Sequence, residues 1–154
     1  MKIGVVLPPG DAAADARHAE ELGLDSVWHG DGPVTRDDWT VALAAAAAAT
    51  SHIGVGTYGL KLAVRPLTSA AQQIADLQRV SRGRLILGIR RGGDEADWAA
   101  AGIPADDQRG RLERALEQLP QLLDGETPPF WIGNAALRQA ARHGDAWFPT
   151  RITP

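Results

Sequence analysis

Two stretches of this 154-residue chain hold residue types and spacings that could do chemistry. The first is Arg84-Leu85-Ile86-Leu87-Gly88-Ile89-Arg90-Arg91-Gly92-Gly93-Asp94-Glu95. Its apolar run stops abruptly in two arginines and two glycines. A buried parallel strand reads this way when its C-terminal end opens onto a ligand site. Glycine lets backbone approach an anion closely, and arginine supplies fixed charge and a fork of donors. Taken alone, Arg90 to Gly93 therefore reads as a phosphate cradle. The second stretch is Asp25-Ser26-Val27-Trp28-His29-Gly30-Asp31-Gly32. Imidazole titrates near neutrality, so His29 could donate a proton; it could equally be a hydrogen-bonded strand-end residue. Lys61 and Arg65 could meet an anionic group or lie in a solvated loop. Isolated serines and aspartates are common but lack the context of an activated nucleophile.

Positioning these residues requires a scaffold, and the chain reads as repeated strand-then-helix units. Ile3 to Leu7 forms a first strand, ended by Pro8-Pro9-Gly10. Asp11 caps a helix reaching about Leu22, with Gly23 as its stop. Asp25 to His29 is the second strand. Asp37 or Asp38 starts a helix that runs through seven alanines to Thr50. Ile53 to Thr57 is the third strand, continued by Tyr58-Gly59-Leu60-Lys61. Thr68 or Ser69 caps a third helix whose Ala70, Ile74 and Leu77 share one face. The first stretch above is the fourth strand. An irregular segment from Asp94 to Gln108 follows, with Trp98 on a short helical turn. Leu112, Leu116, Leu119 and Leu123 line a fourth long helix, which Pro120 should kink or split. Phe130 to Gly133 is the fifth strand, Ala135 to His143 the fifth helix, and Asp145 to Phe148 the sixth strand. The five tryptophans are expected to pack mostly between helices and sheet.

Strands alternating with helices imply parallel β-α-β units with right-handed crossovers. Either an open doubly wound sheet or a barrel fits, and a full eight-fold barrel takes about 250 residues. The chain reads as one domain over residues 1–154. It is 44% hydrophobic and 23% charged, as globular proteins are. A net charge of -3 gives no footprint for nucleic acid or an anionic membrane. No cysteine is present, which excludes a disulfide framework, thiolate metal sites and a cysteine nucleophile. That composition suits the cytoplasm, and no apolar run could span a membrane. The four histidines show no paired spacing for a metal helix.

Read in order, these segments resemble the bacterial luciferase-like monooxygenases, which include flavin-dependent and coenzyme F420-dependent oxidoreductases. The resemblance begins with Gly23-Leu24-Asp25-Ser26-Val27-Trp28 before an acidic loop. It continues through Thr50 to Thr57, Arg65-Pro66, Leu77 to Ser81 and Gly83-Arg84-Leu85-Ile86-Leu87-Gly88. Gly102-Ile103-Pro104, Arg109 to Leu112, Phe130 to Gly133 and Ala140 to Pro149 extend it over nearly the whole chain.

The family fold is an eight-stranded TIM barrel. The resemblance implies an α/β, TIM-barrel-like set of parallel β-α units truncated to about six strands. It implies FMN or coenzyme F420 as cofactor, and hydride transfer to, or oxygenation of, a small organic substrate. By the same resemblance, Asp31 matches an acidic position after the second strand, with catalytic and cofactor-binding roles. The family often places histidine next, where this chain has Gly32, so His29 becomes the alternative proton donor. Thr57-Tyr58-Gly59 falls where the family bends its third strand into a bulge against the flavin ring. A cis bond between Tyr58 and Gly59 is implied there, or else an ordinary strand end with a surface tyrosine. Arg90 and Arg91 stand where the family has small residues. They could bind phosphate, fill the cofactor's space, or pair with Asp94, Glu95 or Asp97. Gly92 and Gly93 keep the family's glycine pair, and Asn134 reads as a helix cap. A six-stranded arrangement leaves two edges, so a homodimer is expected to cover the open side. The alternative is a non-catalytic cofactor-binding or structural remnant of the family.

Overall fold

The structure is a computed structural model. It describes every residue except 33–37, 93–94, 105–106, 108–109, 134–136 and 149–154. The elements run β1 (Gly4–Val6), α1 (Ala12–Glu21), β2 (Ser26–Gly30), α2 (Trp39–Ala49), β3 (Gly54–Leu60) and a 3-10 turn (Leu62–Val64). They continue with α3 (Leu67–Val80), β4 (Leu85–Ile89), α4 (Glu95–Ala100), α5 (Arg111–Leu122), β5 (Phe130–Gly133), α6 (Leu137–His143) and β6 (Ala146–Phe148).

All six strands lie in one sheet in the order β1-β2-β3-β4-β5-β6, and every neighbouring pair is parallel. A doubly wound sheet reverses its strand order at a switch point. Strands added always on the same side are barrel winding, and six of them make a half-barrel. Of the two architectures the sequence left open, this one holds. No helix among the described residues is long and apolar enough to cross a membrane.

One sheet face packs on the helices. Val27, Val55, Leu85, Leu87, Ile89, Phe130 and Ile132 point to that layer and are buried. They meet Ala16 and Ala19 of α1, Leu43, Ala46 and Ala47 of α2, Ile74 and Leu77 of α3, and Leu116 and Leu119 of α5. Alanine is what lets α1 and α2 approach the sheet and each other closely. The helix starts follow local chemistry. Asp11 accepts the Ala14 N–H at 3.0 Å, and Asp38 accepts that of Thr40 at 2.8 Å.

Two departures from the sequence expectations have clear causes. Helix α3 starts at Leu67 with Pro66 as its cap residue, so Thr68 and Ser69 lie inside the first turn. Proline's fixed φ of -62° suits the entry to a helix and dispenses with a side-chain cap. Helix α5 runs through Pro120 without splitting. Proline there removes one donor, but the helix ends two residues later and buried Leu116 and Leu119 hold it down.

The strand entries are pinned by a repeated device. Asp25, just before β2, accepts the Ile3 N–H at 2.6 Å and sends its own N–H to Ile3 O at 2.8 Å. Asp145, just before β6, does the same with Phe130, both bonds at 2.8 Å. A Gly-to-Asp step ahead of an apolar run thus fixes parallel register at both places. Arg84 performs a related task before β4. Its guanidinium donates to the carbonyls of Ala47, Thr50, Ile53 and Ser81 and to Thr50 Oγ1, at 2.7 to 3.1 Å. It therefore satisfies the orphan carbonyls at the end of α2 and ties them to the β3–β4 entry. Burial lowers its pKa from the ordinary value. Glu20 of α1 completes this end by accepting the N–H groups of Ser51, His52 and Ile53.

Candidate functional site

The other sheet face is concave. Strand alternation sends Ser26 and Trp28 to it from β2, Gly56 and Tyr58 from β3, Ile86 and Gly88 from β4, and Trp131 from β5. Glycines are frequent there because aromatic rings lie over them. A Cβ at Gly56 would stand 2.6 Å from Trp28 Cζ3, and one at Gly133 would stand 2.7 Å from the Phe148 ring. Trp28 and Trp131 pack at 5.2 Å between centroids, with the rings 41° apart. Trp28 Nε1 donates to Ser26 Oγ at 2.8 Å, which fixes the indole. Tyr58 and Phe148 form a second aromatic pair at 6.0 Å. Together these side chains line a trough of about 320 Å³ that reaches Lys2 and Asp25 at the N-terminal ends of the strands. Trp28 and Trp131 thus pack against each other on the concave face, and not between helices and sheet as the composition suggested. The signal was present in the sequence: Trp28 is out of phase with Val27 and His29 on an alternating strand.

The expected site residues divide between the two faces. His29 shares its face with Val27, toward the helices, and is 3% exposed. Its Nδ1 lacks a hydrogen-bond partner. Thr57, its register partner on β3, is fully buried on the same side, and its hydroxyl donates to Gly88 O at 3.0 Å. Tyr58 lies on the concave side and is 37% exposed. Gly59 sits at a register shift between Tyr58 and Leu60, with φ +86°. That positive φ, open to glycine, makes the bulge without an unusual peptide bond. Among the described residues no peptide is cis, so the expected cis bond between Tyr58 and Gly59 is corrected to trans.

Asp31 is fully engaged. Its carboxylate accepts the Lys61 N–H at 2.8 Å and pairs with the Arg65 guanidinium through two donors. The Asp31 side chain is 2% exposed and that of Arg65 is 21%. Arg65 also lies 5.9 Å over the Trp39 ring. Lys61 pairs with Asp97 of α4 at 2.6 Å, both side chains largely covered. The reading of Lys61 and Arg65 as solvated loop residues is therefore corrected. Each has a buried carboxylate to neutralise, and that attraction in a drier setting draws them in. Arg111 of α5 adds a bond to Ala63 O at 2.8 Å. The turn after β3 is thus held from β2, α4 and α5.

The chain after β4 crosses this same corner. Arg90 donates its backbone N–H to Leu60 O at 3.1 Å. Its side chain lies directly over Gly59: an added Cβ there would collide with Arg90 Cδ and stand 2.9 Å from Cγ. Gly92, with φ +75°, rides on Lys61, where an added Cβ would be 3.1 Å from Lys61 Cβ. Arg91 is exposed. Asp97, one of the acids proposed for the two arginines, is bound to Lys61. Gly93, Asp94, Asn134, Asp37, Ala135 and Arg109, named above as candidate site, cap or motif residues, lie outside the described residues.

Away from the trough, Glu113 of α5 accepts from Arg142 at 2.8 Å and lies 3.1 Å from His143 Nε2, both on α6. The hydrogen bond with His143 leads the effects that hold the Glu113 carboxyl below its ordinary value. This cluster ties two helices together.

Comparison with known proteins adds ancestry to this geometry. The model of the luciferase-like monooxygenase family matches residues 4–154. A 5,10-methylenetetrahydromethanopterin reductase of Methanolobus tindarius is 29% identical over 130 residues, covering 82% of this chain and 39% of that protein. An F420-dependent glucose-6-phosphate dehydrogenase of Kineococcus radiotolerans is 35% identical over 135 residues, covering 79% of this chain and 39% of that protein. Among solved structures, monooxygenase RslO1 from Streptomyces bottropensis superposes with TM-score 0.86 at 21% identity, over 100% of this chain and 61% of that one. The oxygenating constituent of 3,6-diketocamphane monooxygenase from Pseudomonas putida, in complex with FMN, superposes with TM-score 0.82 at 16% identity, over 97% and 56%. The chain thus spans about two-fifths of the length of these two curated relatives.

Proposed function

The chain belongs to the luciferase-like monooxygenase family, and from that premise we propose that it binds the ring of FMN or coenzyme F420 on its concave face. The reaction served is hydride transfer to, or oxygenation of, a small organic substrate. One observation carries the reading: an aromatic trough on the concave face includes Tyr58 in its lining, and Tyr58 adjoins the glycine bulge toward the C-terminal ends of β3 and β4. Those strand ends are where parallel barrels hold their ligands. The trough volume, about 320 Å³, is at the lower end for small-molecule sites. It suits a flat ring system whose polar tail runs outside.

The residues present fit such a ring. Trp28 and Trp131 give an apolar floor, and Tyr58 and Phe148 give a wall. Gly59 lets the β3 backbone approach at the bulge. Arg90 and Arg91 supply cations for an anionic group. When bound, the cofactor would supply the hydride or the oxygen-reactive centre. The chain's own part is to bind the ring, exclude water and orient the substrate. Tyr58 presents a hydroxyl beside the trough, and with His29 and Asp31 it is a candidate for moving a proton. Asp31 holds the β3 turn in position, and Thr57 holds β4. The cofactors named for two relatives, F420 for the Kineococcus dehydrogenase and FMN for the camphane enzyme, support both ring types.

A second reading has its own support. Asp31 is consumed by Lys61 and Arg65, and Arg90 covers the bulge, which favours a non-catalytic cofactor-binding module. Titration with FMN and with F420, following quenching of ring fluorescence, separates the readings. Absence of binding at high micromolar concentration overturns the cofactor assignment. Binding without turnover of any reductant favours the module. The same reading has a second copy lie along edge strand β1, where Ile3, Val5 and Val6 are 49%, 39% and 44% exposed. A folded monomer at micromolar concentration in sedimentation would count against the homodimer.

A further inference from the structure

We propose that Arg90 is a specificity-determining gate: its side chain occupies the ring's place over the β3 bulge and must swing away before a flat cofactor can seat there. The proposal rests on the cofactor reading above. Three facts converge on it. The methylene stem of Arg90 lies on Gly59 so closely that a single added carbon on Gly59 would strike Cδ and press on Cγ. Gly59 has φ +86° at the register shift, so it presents bare backbone toward that space. The neighbours on the concave side, Tyr58 and Phe148, are an aromatic pair to which a ring would add naturally. The stem therefore fills the space over the bare backbone of Gly59, where a planar group could lie flat.

The backbone beneath the gate does not yield. Arg90 N–H is bonded to Leu60 O, Gly92 rests on Lys61, and Lys61 is held by Asp97 and, through its own N–H, by Asp31. The corner is fixed, and the movable part is the flexible side chain. Seating a ring then requires Arg90 to leave its packed rotamer and to rebuild contacts elsewhere. Such a rearrangement costs free energy and weakens binding. Arginine also sets selectivity: a cofactor that offers an anionic group near the ring edge repays the displacement through a charge-assisted bond, and a neutral ring does not.

The test is titration of riboflavin, FMN and F420 into the wild-type chain, Arg90→Ala and Arg90→Met, read by ring fluorescence. Methionine keeps a long stem and loses the charge. The gate predicts that Arg90→Ala binds riboflavin about tenfold more tightly than wild type, while Arg90→Met stays close to wild type for riboflavin. Arg90→Ser serves as a second opening variant, and circular dichroism checks that each variant is folded. Equal riboflavin affinity across all variants overturns the gate and leaves the cofactor reading standing. Weaker riboflavin binding by Arg90→Ala also overturns it, because the arginine would then be a contact for the ring itself. If neither the wild-type chain nor the opened variants bind any of the three, the cofactor reading fails and the gate with it.

Discussion

Removing the Asp31 carboxylate should destabilise the corner after β3 more than any exposed charge change in the chain. Asp31→Ala strips the acceptor from the Lys61 N–H and the counter-charge from Arg65. The carboxylate is 2% exposed and the guanidinium 21%, so the pair is largely out of water. Breaking a buried pair by deleting one partner costs about 3–5 kcal/mol. Arg65 keeps some solvent and its contact with Trp39, which puts the expected loss at the low end, about 3 kcal/mol. For a chain of this size each kcal/mol lowers the melting temperature by about 2–4 °C, giving a drop of about 6–12 °C. Asp31→Asn keeps an acceptor for Lys61 and loses only the charge, so its drop should be smaller by about 1 kcal/mol. Thermal melts followed by circular dichroism measure both. Raising the salt should not close the gap, because a covered pair is poorly screened. An Asp31→Ala melt within about 2 °C of wild type would refute the view that this pair holds the corner.

Two further outcomes follow from the packing. A Cβ at Gly88 would collide with the carbonyl oxygen of Thr57, which is backbone and cannot swing aside. Gly88→Ala should therefore cost about 1–3 kcal/mol, seen as a lower urea midpoint with an unchanged slope; an unchanged midpoint would mean that β3 and β4 are farther apart than described. The Glu20 carboxyl feels burial, which opposes its charge. The N–H donors of Ile53, His52 and Ser51 outweigh it and hold its pKa below the ordinary 4.5. A folded-state pKa below the unfolded one stabilises above pH 4.5, and that stability is lost as pH falls through the lowered value. Glu20→Gln should thus be less stable than wild type at neutral pH, with the difference closing in acid. Denaturant midpoints measured across that range check this, and a difference independent of pH would sink it.

The parts of this fold legible in the sequence are those governed by local chemistry. Asp11 and Asp38 cap their helices because their carboxylates reach N–H groups two or three residues on. The alternation of short apolar runs with helical faces called for parallel units. Three local details differ from that reading. Thr68 and Ser69 are ordinary cap residues, yet Pro66 with its preset φ began the helix first. Pro120 was expected to kink or split its helix; it does not split it, because two buried leucines and a nearby end make the loss of one donor tolerable. The β3 bulge was expected in its place, but glycine's positive φ supplied the bend that a cis bond was expected to give.

The site was less legible, because charge partners distant in sequence are invisible in a linear reading. Nothing around Asp31 announces Arg65, or around Lys61 announces Asp97; only the crossing of the β3 turn by α4 and the β2 loop brings them together. Lys61 and Arg65 consequently looked solvated, and Asp31 looked available. The two faces of a strand were readable from period two, and that pattern already separated Trp28 from His29. What the sequence by itself determined is ancestry, the order of units and the phase of each strand, since these depend on neighbours along the chain. The tertiary structure alone decided that Asp31 accepts from Lys61 and Arg65 and that Arg90 lies on Gly59. Both depend on which side chain reaches a shared corner, and that is a matter of distance in space.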